Sequence, residues 1–424
     1  MPGVPFYINM HIHCFTLDHV PEKFFDSLIG GKRFLRISKL RKTTLNRLFV
    51  NLVTRKWFIW IVRRFSRNGA NQLRRLRGLI KYSSAPDQEN LLTRLLSFYD
   101  NWNPEHSGVK PFRYVPLTMD MEYMNAGIPA RLFDQQLKEL HTVKSKEEWK
   151  EVIFPFVFAD PRRQNLLATV KKAIESRKAP FSGIKIYPAL GYYPFDQVMK
   201  DVYLYALQNN LPIVTHCVNG SVYFSGEPPK NSVHPLTTKA CYGNNPDEYQ
   251  LNWTHPLNYE CLLNPVHLKQ LWGSSAPDLS QLKICLGHFG GENEWLEDKN
   301  LLKFWEKSKP VEEEPFTNYL DLDQDWFGEK RNKWFLIIME LLRKYPNVYA
   351  DISFTLHDAR IYEVLKKILL FEHVRNKILF GTDYYVVSSV ADENEVLNTL
   401  KKELNDAALF DLIVYENPKR FLNW

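Results

Sequence analysis

Four short apolar segments, far apart in the chain, each end in residues of the types that bind metal ions. The residues at these ends are His11 and His13, His216, His288, and Asp383. One histidine after a strand is usually a hydrogen-bonded structural residue, but four such endings in one chain are hard to explain by chance. The strands of a parallel barrel open their carboxyl ends on one face, so these residues would converge on one pocket. The pattern predicts a metal site.

Eight apolar segments rich in β-branched and aromatic residues are predicted strands, and helical patterns separate most of them. The strands are predicted at 6–11, 112–119, 152–159, 183–188 and 348–353, and in the segments that end at His216, His288 and Asp383. Helices are predicted at 164–177, 195–209, 333–344 and 393–404. Strand alternating with helix favours a parallel sheet, and eight repeats favour closure. The predicted fold class is α/β, a (β/α)8 TIM barrel with a large basic helical insertion after strand 1 and long loops on the catalytic face.

The chain is longer than such a barrel needs, because 424 residues exceed the roughly 250 that are typical. We predict that residues 1–25 hold barrel strand 1, that 26–110 form the basic helical insertion, and that 111–424 complete a metal-dependent hydrolase barrel. The five cysteines show neither metal-binding nor disulfide-framework spacing, which indicates a reducing compartment. With no secretion signal or spanning segment in the sequence, we expect a cytoplasmic protein.

Positive charge is concentrated in residues 32–81, which contain 16 Lys and Arg and no Asp or Glu. The rest of the chain has 39 basic and 48 acidic residues, a net charge of −9. The segment is also rich in bulky apolar residues. Two interpretations stay open: a helical cap packed on the barrel with a basic outer face, or an amphipathic element in peripheral contact with anionic membrane. Nucleic-acid binding is not expected, since no known module surrounds the charge.

His11 and His13 lie two positions apart on a predicted strand, so both side chains point to one side and can reach one metal ion. Imidazole and carboxylate ligands suit zinc, iron, nickel or manganese, with zinc the leading candidate. A divalent metal activates water at neutral pH, and Asp383 can accept the proton of that water and return it to a leaving group.

Lys185 lies in an otherwise apolar predicted strand, where an unpaired ammonium group is costly. It must be paired, neutral or modified. One reading is that carbon dioxide carboxylates the amine and makes an anionic bridge between two metal ions. The other is that Lys185 pairs with Asp160, Asp196 or an anionic group of a substrate.

The order of these residues resembles the amidohydrolase superfamily of metal-dependent barrel hydrolases. HxH on strand 1 is followed by Lys on strand 4, His on strands 5 and 6, and Asp on strand 8. The surrounding sequence is most similar to the amidohydrolase-related branch, which also contains non-oxidative decarboxylases. The similarity is carried by residues 155–163, 183–188 and 415–421, and covers 1–15, 110–220, 281–300 and 345–424.

The resemblance implies roles for the ligand residues. His11, His13 and Asp383 would hold one metal ion, and His216 with His288 would hold a second if Lys185 is a carboxylated bridge. In single-metal members, the residue matching His216 joins the first site, and the one matching His288 becomes a catalytic acid or base. The chain departs from the family at Asn9, where the superfamily often has Asp.

The sequence therefore predicts a hydrolase that uses one or two divalent metal ions to cleave the C–N or C–O bond of a small amide, lactone or ester. Substrate-binding candidates are Arg162, Arg163, Tyr187 and Tyr192, of which the arginines could bind an anionic group. A single-metal decarboxylase or hydratase is the alternative. A membrane-associated protein with a non-catalytic barrel is an alternative of another class. Whether the chain is a homo-oligomer stays open.

Overall fold

Eight strands lie in the part of the chain that the computed structural model describes. That part comprises residues 6–24, 85–99, 112–218, 220, 222–228, 233–237, 243, 245–296, 320, 334–389 and 391–424. The strands, numbered β1 to β8 in chain order, are Tyr7–Ile12, Phe112–Pro116, Phe156–Phe158, Gly183–Ile186, Ile213–Val218, Ile284–Gly290, Val348–Asp351 and Ile378–Leu379. Each falls within or overlaps a segment predicted from the sequence.

The strands are parallel and follow one another in space in chain order. β1 pairs with β2 in one sheet, and β3 to β8 pair successively in a second, six-stranded sheet. The α/β class with a parallel sheet is thus confirmed. Parallel pairing brings the carboxyl ends of neighbouring strands to one edge, which is where the polar residues of interest lie.

Backbone hydrogen bonds connect the two sheets at both ends. Between β1 and the chain after β8, Met10 N–H donates to the Phe380 carbonyl at 2.9 Å, and Asp383 N–H donates to the His11 carbonyl at 2.8 Å. Between β2 and β3, Leu117 forms a parallel bridge with Phe156. These contacts place β8 beside β1 and β2 beside β3. Closure of all eight strands into one barrel stays a prediction.

Helices follow most strands. In the described chain the helices, α1 to α15, are Gln88–Ser97, Phe133–Lys144, Glu147–Lys150, Leu166–Ile174, Lys200–Gln208, Pro246–Thr254, Leu257–Leu263, Pro265–Trp272, Glu292–Leu296, Trp334–Lys344, Ile361–Ile368, Glu372–Arg375, Glu393–Leu404, Ala407–Asp411 and Asn417–Leu422. The helices predicted at 164–177 and 195–209 are shorter than expected. Leu166–Ile174 begins after Asn165, whose φ of 54° is left-handed, and a 3-10 turn at Gln197–Met199 occupies the start of the other.

The register of the strands places the site residues in two adjacent rows of paired residues across the sheet, one that contains Lys185 and one that contains His216. Lys185 is paired with Val214, Val214 with Cys285, and Cys285 with Tyr349, so their side chains point to the same face. Val214, Cys285 and Tyr349 belong to a compact apolar cluster that α15 covers with Phe421 and Leu422. Lys185 therefore lies at the edge of an apolar layer, on the face from which His216, two residues beyond Val214, also projects.

Gly287 leaves space for neighbouring side chains in the row that contains His216. It is paired with His216, and a Cβ at this position would lie 2.6 Å from the Thr215 carbonyl oxygen and 3.3 Å from Cε1 of His11. A side chain would therefore push aside a neighbouring strand or a predicted metal ligand. The glycine allows β1 and β6 to bring their histidines together.

Most of residues 26–110, the predicted basic helical insertion, lie outside the described part of the chain, and so does all of the basic segment 32–81. The described cysteines, Cys14, Cys217, Cys261 and Cys285, are free and buried. Among the described residues, none of the helices has the length and apolar character needed to cross a membrane.

Candidate metal centre

His11, His13 and Asp383 meet at the carboxyl ends of β1 and β8. Nε2 of His13 lies 3.3 Å from Oδ1 of Asp383, and Nε2 of His11 lies 3.8 Å from the same oxygen. The ligand atoms of the three residues all lie within 4.8 Å of one another, and all three residues are buried. One metal ion could therefore contact all three.

The two histidines present the same ring nitrogen to this cluster. Nδ1 of His13 faces the Leu117 carbonyl oxygen at 3.3 Å, and Nδ1 of His11 faces Oδ2 of Asp351 at 2.9 Å. Since these oxygens can only accept, each Nδ1 carries a proton, and Nε2 of the neutral His11 ring has a free lone pair. That tautomer is the one a metal ligand needs.

Two buried polar atoms in the cluster lack a partner in the described chain: Nε2 of His11 and Oδ1 of Asp383. Leaving such groups unpaired costs on the order of 1–3 kcal/mol each, so proteins seldom do so without a ligand. The pair consists of an imidazole nitrogen and a carboxylate oxygen, the donor types of zinc and manganese sites. The residues present therefore fit a divalent metal ion.

Electrostatics keep both ligands in their metal-binding protonation states. Burial lowers the pKa of His11 to about 4, although Asp351 acts in the opposite direction. Burial would raise the pKa of Asp383, but its contact with His13 and the charges of the neighbouring imidazoles outweigh this and lower it. At neutral pH the imidazole of His11 is therefore neutral and Asp383 is ionised, as metal binding requires.

Asp383 and His288 have unusual backbone conformations. Their φ angles are 61° and 64°, in the left-handed region that non-glycine residues rarely adopt. Such conformations cluster at functional sites, where the surroundings hold a side chain in one direction. Here they turn both side chains at the strand ends.

His288 approaches the cluster from β6. Its ring centroid lies 4.6 Å from that of His11 and 5.0 Å from that of His216. Nδ1 of His288 lies 2.9 Å from Oγ of Ser353 and 3.2 Å from the Ser353 carbonyl oxygen. A second group with ligand atoms within 4.8 Å consists of His11, His288 and Asp351.

His216, from β5, is covered by Tyr187. The two rings stack with centroids 4.0 Å apart, and the Tyr187 hydroxyl lies 3.1 Å from Nε2 of His216. Burial lowers the pKa of His216 well below 6.5, so the ring is neutral, and its Nε2 shares a hydrogen bond with the phenol. Gly220 lies against the same nitrogen, where a Cβ would be 2.4 Å away. Unlike Nε2 of His11, this nitrogen already has a partner.

Lys185 is fully buried, and its Nζ lacks a hydrogen-bond partner in the described chain. Burial lowers its pKa to about 8, while the charges of Asp351 and Asp383 oppose this. Neither carboxylate proposed from the sequence pairs with it, because Asp160 binds Arg162 and Asp196 caps the turn at 197–199. An amine with a lowered pKa is partly neutral near pH 8 and available for modification.

The two predicted substrate-binding arginines are engaged by carboxylates. Arg162 binds both oxygens of Asp160, with its Nη2 2.6 Å from Oδ2. Arg163 binds Asp120 at 2.6 Å and Glu122 at 3.0 Å. Their charges are largely neutralised within the loops after β2 and β3.

Tyr192 also makes local contacts. Its hydroxyl accepts the Tyr187 N–H at 2.8 Å and donates to the Ala159 carbonyl at 3.2 Å. In this conformation it fixes the backbone of Tyr187 beside His216.

Sequence reasoning missed Asp351 and Ser353, which contact both His11 and His288. Asp351 follows the signal that identified the other residues, because it is the polar residue at the end of an apolar strand. It was overlooked because Asp on strand 7 is not part of the expected ligand order.

A family model described as amidohydrolase matches residues 322–424, about the last quarter of the chain, which includes β7, β8 and Asp383. The predicted resemblance to the amidohydrolase superfamily is confirmed over these residues. No curated protein matches the chain.

Among solved structures, one similar to this chain is a probable 2-pyrone-4,6-dicarboxylic acid hydrolase from Acinetobacter baumannii with citric acid bound. Its TM-score is 0.48 at 10% identity, with 99% of both chains covered. Another is 5-carboxyvanillate decarboxylase from Sphingomonas paucimobilis, with a TM-score of 0.44, 13% identity and 99% of both chains covered. A third, an amidohydrolase from Burkholderia multivorans with bound zinc, has a TM-score of 0.40 and 12% identity, and the match covers 73% of this chain and 83% of that one.

Proposed function

We propose that the protein is a metal-dependent hydrolase that cleaves a C–N or C–O bond in a small amide, lactone or ester. The observation that carries this proposal is the buried cluster of Nε2 of His11, Nε2 of His13 and Oδ1 of Asp383, in which His11 and Asp383 have unpartnered atoms. The amidohydrolase family match over 322–424 supports the same reaction class.

His11, His13 and Asp383 would hold the metal ion, with zinc the leading candidate. When bound, the metal would lower the pKa of a water molecule and polarise the substrate carbonyl group. Asp383 is ionised and lies 3.3 Å from His13, so its carboxylate can accept a proton at the cluster. It then passes that proton to the leaving nitrogen or oxygen. His288, held through Nδ1, would present Nε2 to the substrate as a second acid or base.

We propose further that the eight strands form one closed (β/α)8 barrel. Hydrogen bonds from β1 to the chain after β8, and the bridge from Leu117 to Phe156, support closure at both junctions of the two sheets. In a closed barrel the ligand residues would surround one mouth. The long segments after strands 1, 5 and 6 would form its walls.

Lys185 favours a second metal ion. Its buried amine has no partner in the described chain and a lowered pKa, so carboxylation would replace an unpaired cation with a ligand. His216 and His288 could then complete a second site. For this, the Tyr187 hydroxyl would have to leave Nε2 of His216, where it now lies 3.1 Å away.

A single-metal decarboxylase or hydratase is the second candidate. One observation favours it: no described group of ligand atoms within 4.8 Å of one another contains both His216 and His288, the pair that a second metal ion would need. The group of His11, His13 and Asp383 would hold the single ion. His288 would act as the acid or base.

We propose a small substrate with an anionic group. Tyr187 is the strongest candidate to contact it, because its hydroxyl lies beside His216. Arg162 and Arg163 bind carboxylates of their own loops, and either would have to exchange such a partner for the substrate. Tyr192 would act through Tyr187, whose backbone N–H it binds.

The remaining proposals concern the cellular setting. We propose a cytoplasmic enzyme that acts on a small molecule, does not bind nucleic acid and makes peripheral contact with anionic membrane through residues 32–81, with homo-oligomer formation open. A non-catalytic barrel at a membrane is the alternative of another class. A purified protein with neither bound metal nor turnover would favour that alternative.

Metal counting and a substrate panel test the proposal. The protein is purified with bicarbonate and zinc, metal per chain is measured by mass spectrometry, and lactones, cyclic amides, esters and aromatic carboxylic acids are assayed. About two metal ions with lactone or amide hydrolysis would support the hydrolase with a bridging Lys185. One metal ion with carbon dioxide release would support the lyase.

Carbon-13 bicarbonate provides an independent test of Lys185. A labelled carbamate signal in the wild type that is absent from Lys185→Met would support the bridge. Lys283→Met is the matched control, because Lys283 is also a buried lysine, but its amine binds the Arg420 carbonyl on α15 and the Asn423 side chain just after it. Absence of a carbamate at full metal occupancy would exclude a carboxylated Lys185 and favour the single-metal enzyme.

A further inference from the structure

Asp351 is a buried carboxylate surrounded by donors from three strand ends. Oδ2 accepts from Nδ1 of His11 at 2.9 Å. Oδ1 accepts from the N–H of His288 at 3.0 Å, from the N–H of Ser353 at 3.1 Å and from the Ser353 hydroxyl. The residue is 0% exposed, so these bonds replace hydration completely. Both carboxylate oxygens therefore accept hydrogen bonds from groups of the protein.

The contact with Asp351 determines which nitrogen of His11 can bind a ligand. A carboxylate that accepts from the His11 side chain at one oxygen and from the N–H groups of His288 and Ser353 at the other is an acceptor only. Nδ1 of His11 must therefore carry the proton, and Nε2 is left with its lone pair toward His13 and Asp383. The alternative tautomer would place two acceptors against each other at 2.9 Å.

Ser353 does the same for His288. Its hydroxyl donates to Asp351, so the oxygen can accept from Nδ1 of His288 at 2.9 Å. The Ser353 carbonyl, 3.2 Å from the same nitrogen, is also an acceptor. Nδ1 of His288 is thus the protonated nitrogen, and Nε2 is the reactive one.

We infer that Asp351 and Ser353 are a positioning pair that fixes His11 and His288 as Nδ1–H tautomers with Nε2 directed to the metal centre. The inference rests on the proposed function for its effect on metal binding, but not for the tautomers themselves. Partners of this kind that orient metal ligands contribute roughly 10- to 100-fold to metal affinity.

The test uses Asp351→Asn and Ser353→Ala in the full chain, with Asp358→Asn as the matched control. Asp358 lies seven residues after Asp351 and pairs with the exposed Arg360. Zinc affinity is measured by chelator competition. We expect Asp351→Asn to weaken zinc binding about 10- to 100-fold, Ser353→Ala to weaken it less because the Ser353 carbonyl remains, and Asp358→Asn to leave it unchanged.

Nitrogen-15 spectra of histidine-labelled, metal-free protein provide a readout that needs neither metal nor activity. In the wild type we expect His11 and His288 as Nδ1–H tautomers, and in Asp351→Asn a mixed tautomer for His11. His11 as the Nε2–H tautomer in the wild type, or wild-type zinc affinity in a folded Asp351→Asn, would overturn the inference. If the wild type binds no zinc, the proposed function fails. The tautomers of His11 and His288 would still test the positioning role of Asp351 and Ser353.

Discussion

Nε2 of His13 lies 3.3 Å from Oδ1 of Asp383, which joins the end of the first strand to the segment after the last. The backbone supports the same contact, because Asp383 N–H donates to the His11 carbonyl at 2.8 Å. Two distant parts of the chain are thus held together both by the backbone and by the residues proposed to bind metal.

Replacing His11 or His13 with Ala should abolish bound metal and activity while the protein stays folded. Both residues lie at the carboxyl ends of strands, the end that carries function rather than stability. Metal per chain and circular dichroism are the measurements. His141→Ala is the control, since its Nε2 binds Ser176 on a surface element. Full metal retention in both ligand variants would remove the assignment.

Asp383→Asn should lower turnover about 100-fold or more, because the amide keeps the size but cannot accept a proton. Some metal should remain, since the amide oxygen can still coordinate. Turnover is measured at saturating zinc, with Asp134→Asn as a control at a side chain that is 78% exposed. Near-normal turnover would exclude Asp383 from proton transfer.

Glu393, at the start of α13, should make the protein less stable as pH rises. Burial raises its pKa to about 8, although hydrogen bonds with Thr382 and Tyr99 oppose this. The folded state therefore holds a proton that the unfolded state releases near the ordinary pKa. This contribution is fully present below that ordinary value and is lost as pH rises toward 8.

Glu393→Gln should remove this loss, so its advantage over the wild type should grow with pH to a few kcal/mol near pH 8, an order-of-magnitude figure. Denaturant unfolding at pH 5, 6.5 and 8 measures it. Glu395→Gln, at an exposed position on the same helix, is the control. Parallel pH profiles for the wild type and Glu393→Gln would contradict the raised pKa.

The basic segment 32–81 should bind anionic lipid. Its 16 positive charges face no acidic residue within the segment, and each basic residue near such a surface contributes on the order of 1 kcal/mol. The protein should sediment with anionic but not zwitterionic vesicles, and less so in high salt. A variant with 32–81 replaced by a short linker should lose this binding and keep its metal. Equal binding by both forms would favour the helical-cap interpretation.

Asn9 occupies a position where the superfamily often has Asp, and only the tertiary structure explains the asparagine. Its amide donates to Oγ1 of Thr382 at 2.8 Å and accepts from the Thr382 N–H at 3.1 Å. A carboxylate could not do both. The asparagine therefore fastens β1 to the segment that carries Asp383.

The sequence alone determined the strand order and the residues at the strand ends. Alternating apolar runs and helical patterns are local signals, and parallel pairing then requires that the ends of the strands lie together. His11, His13, His288 and Asp383 could be selected in this way before any coordinates were known. The helix Glu393–Leu404 was located to the residue.

Only the tertiary structure decided which of these residues keep free ligand atoms. Asp351 lies 340 residues from His11, and the hydrogen bond that directs Nε2 of His11 depends on how β7, β8 and β1 lie beside one another. The contact of Tyr187 with His216 and the ion pairs of Arg162 and Arg163 with carboxylates also depend on the tertiary structure. A residue's type follows from the sequence, but its partners depend on distances set by the packing of the whole chain.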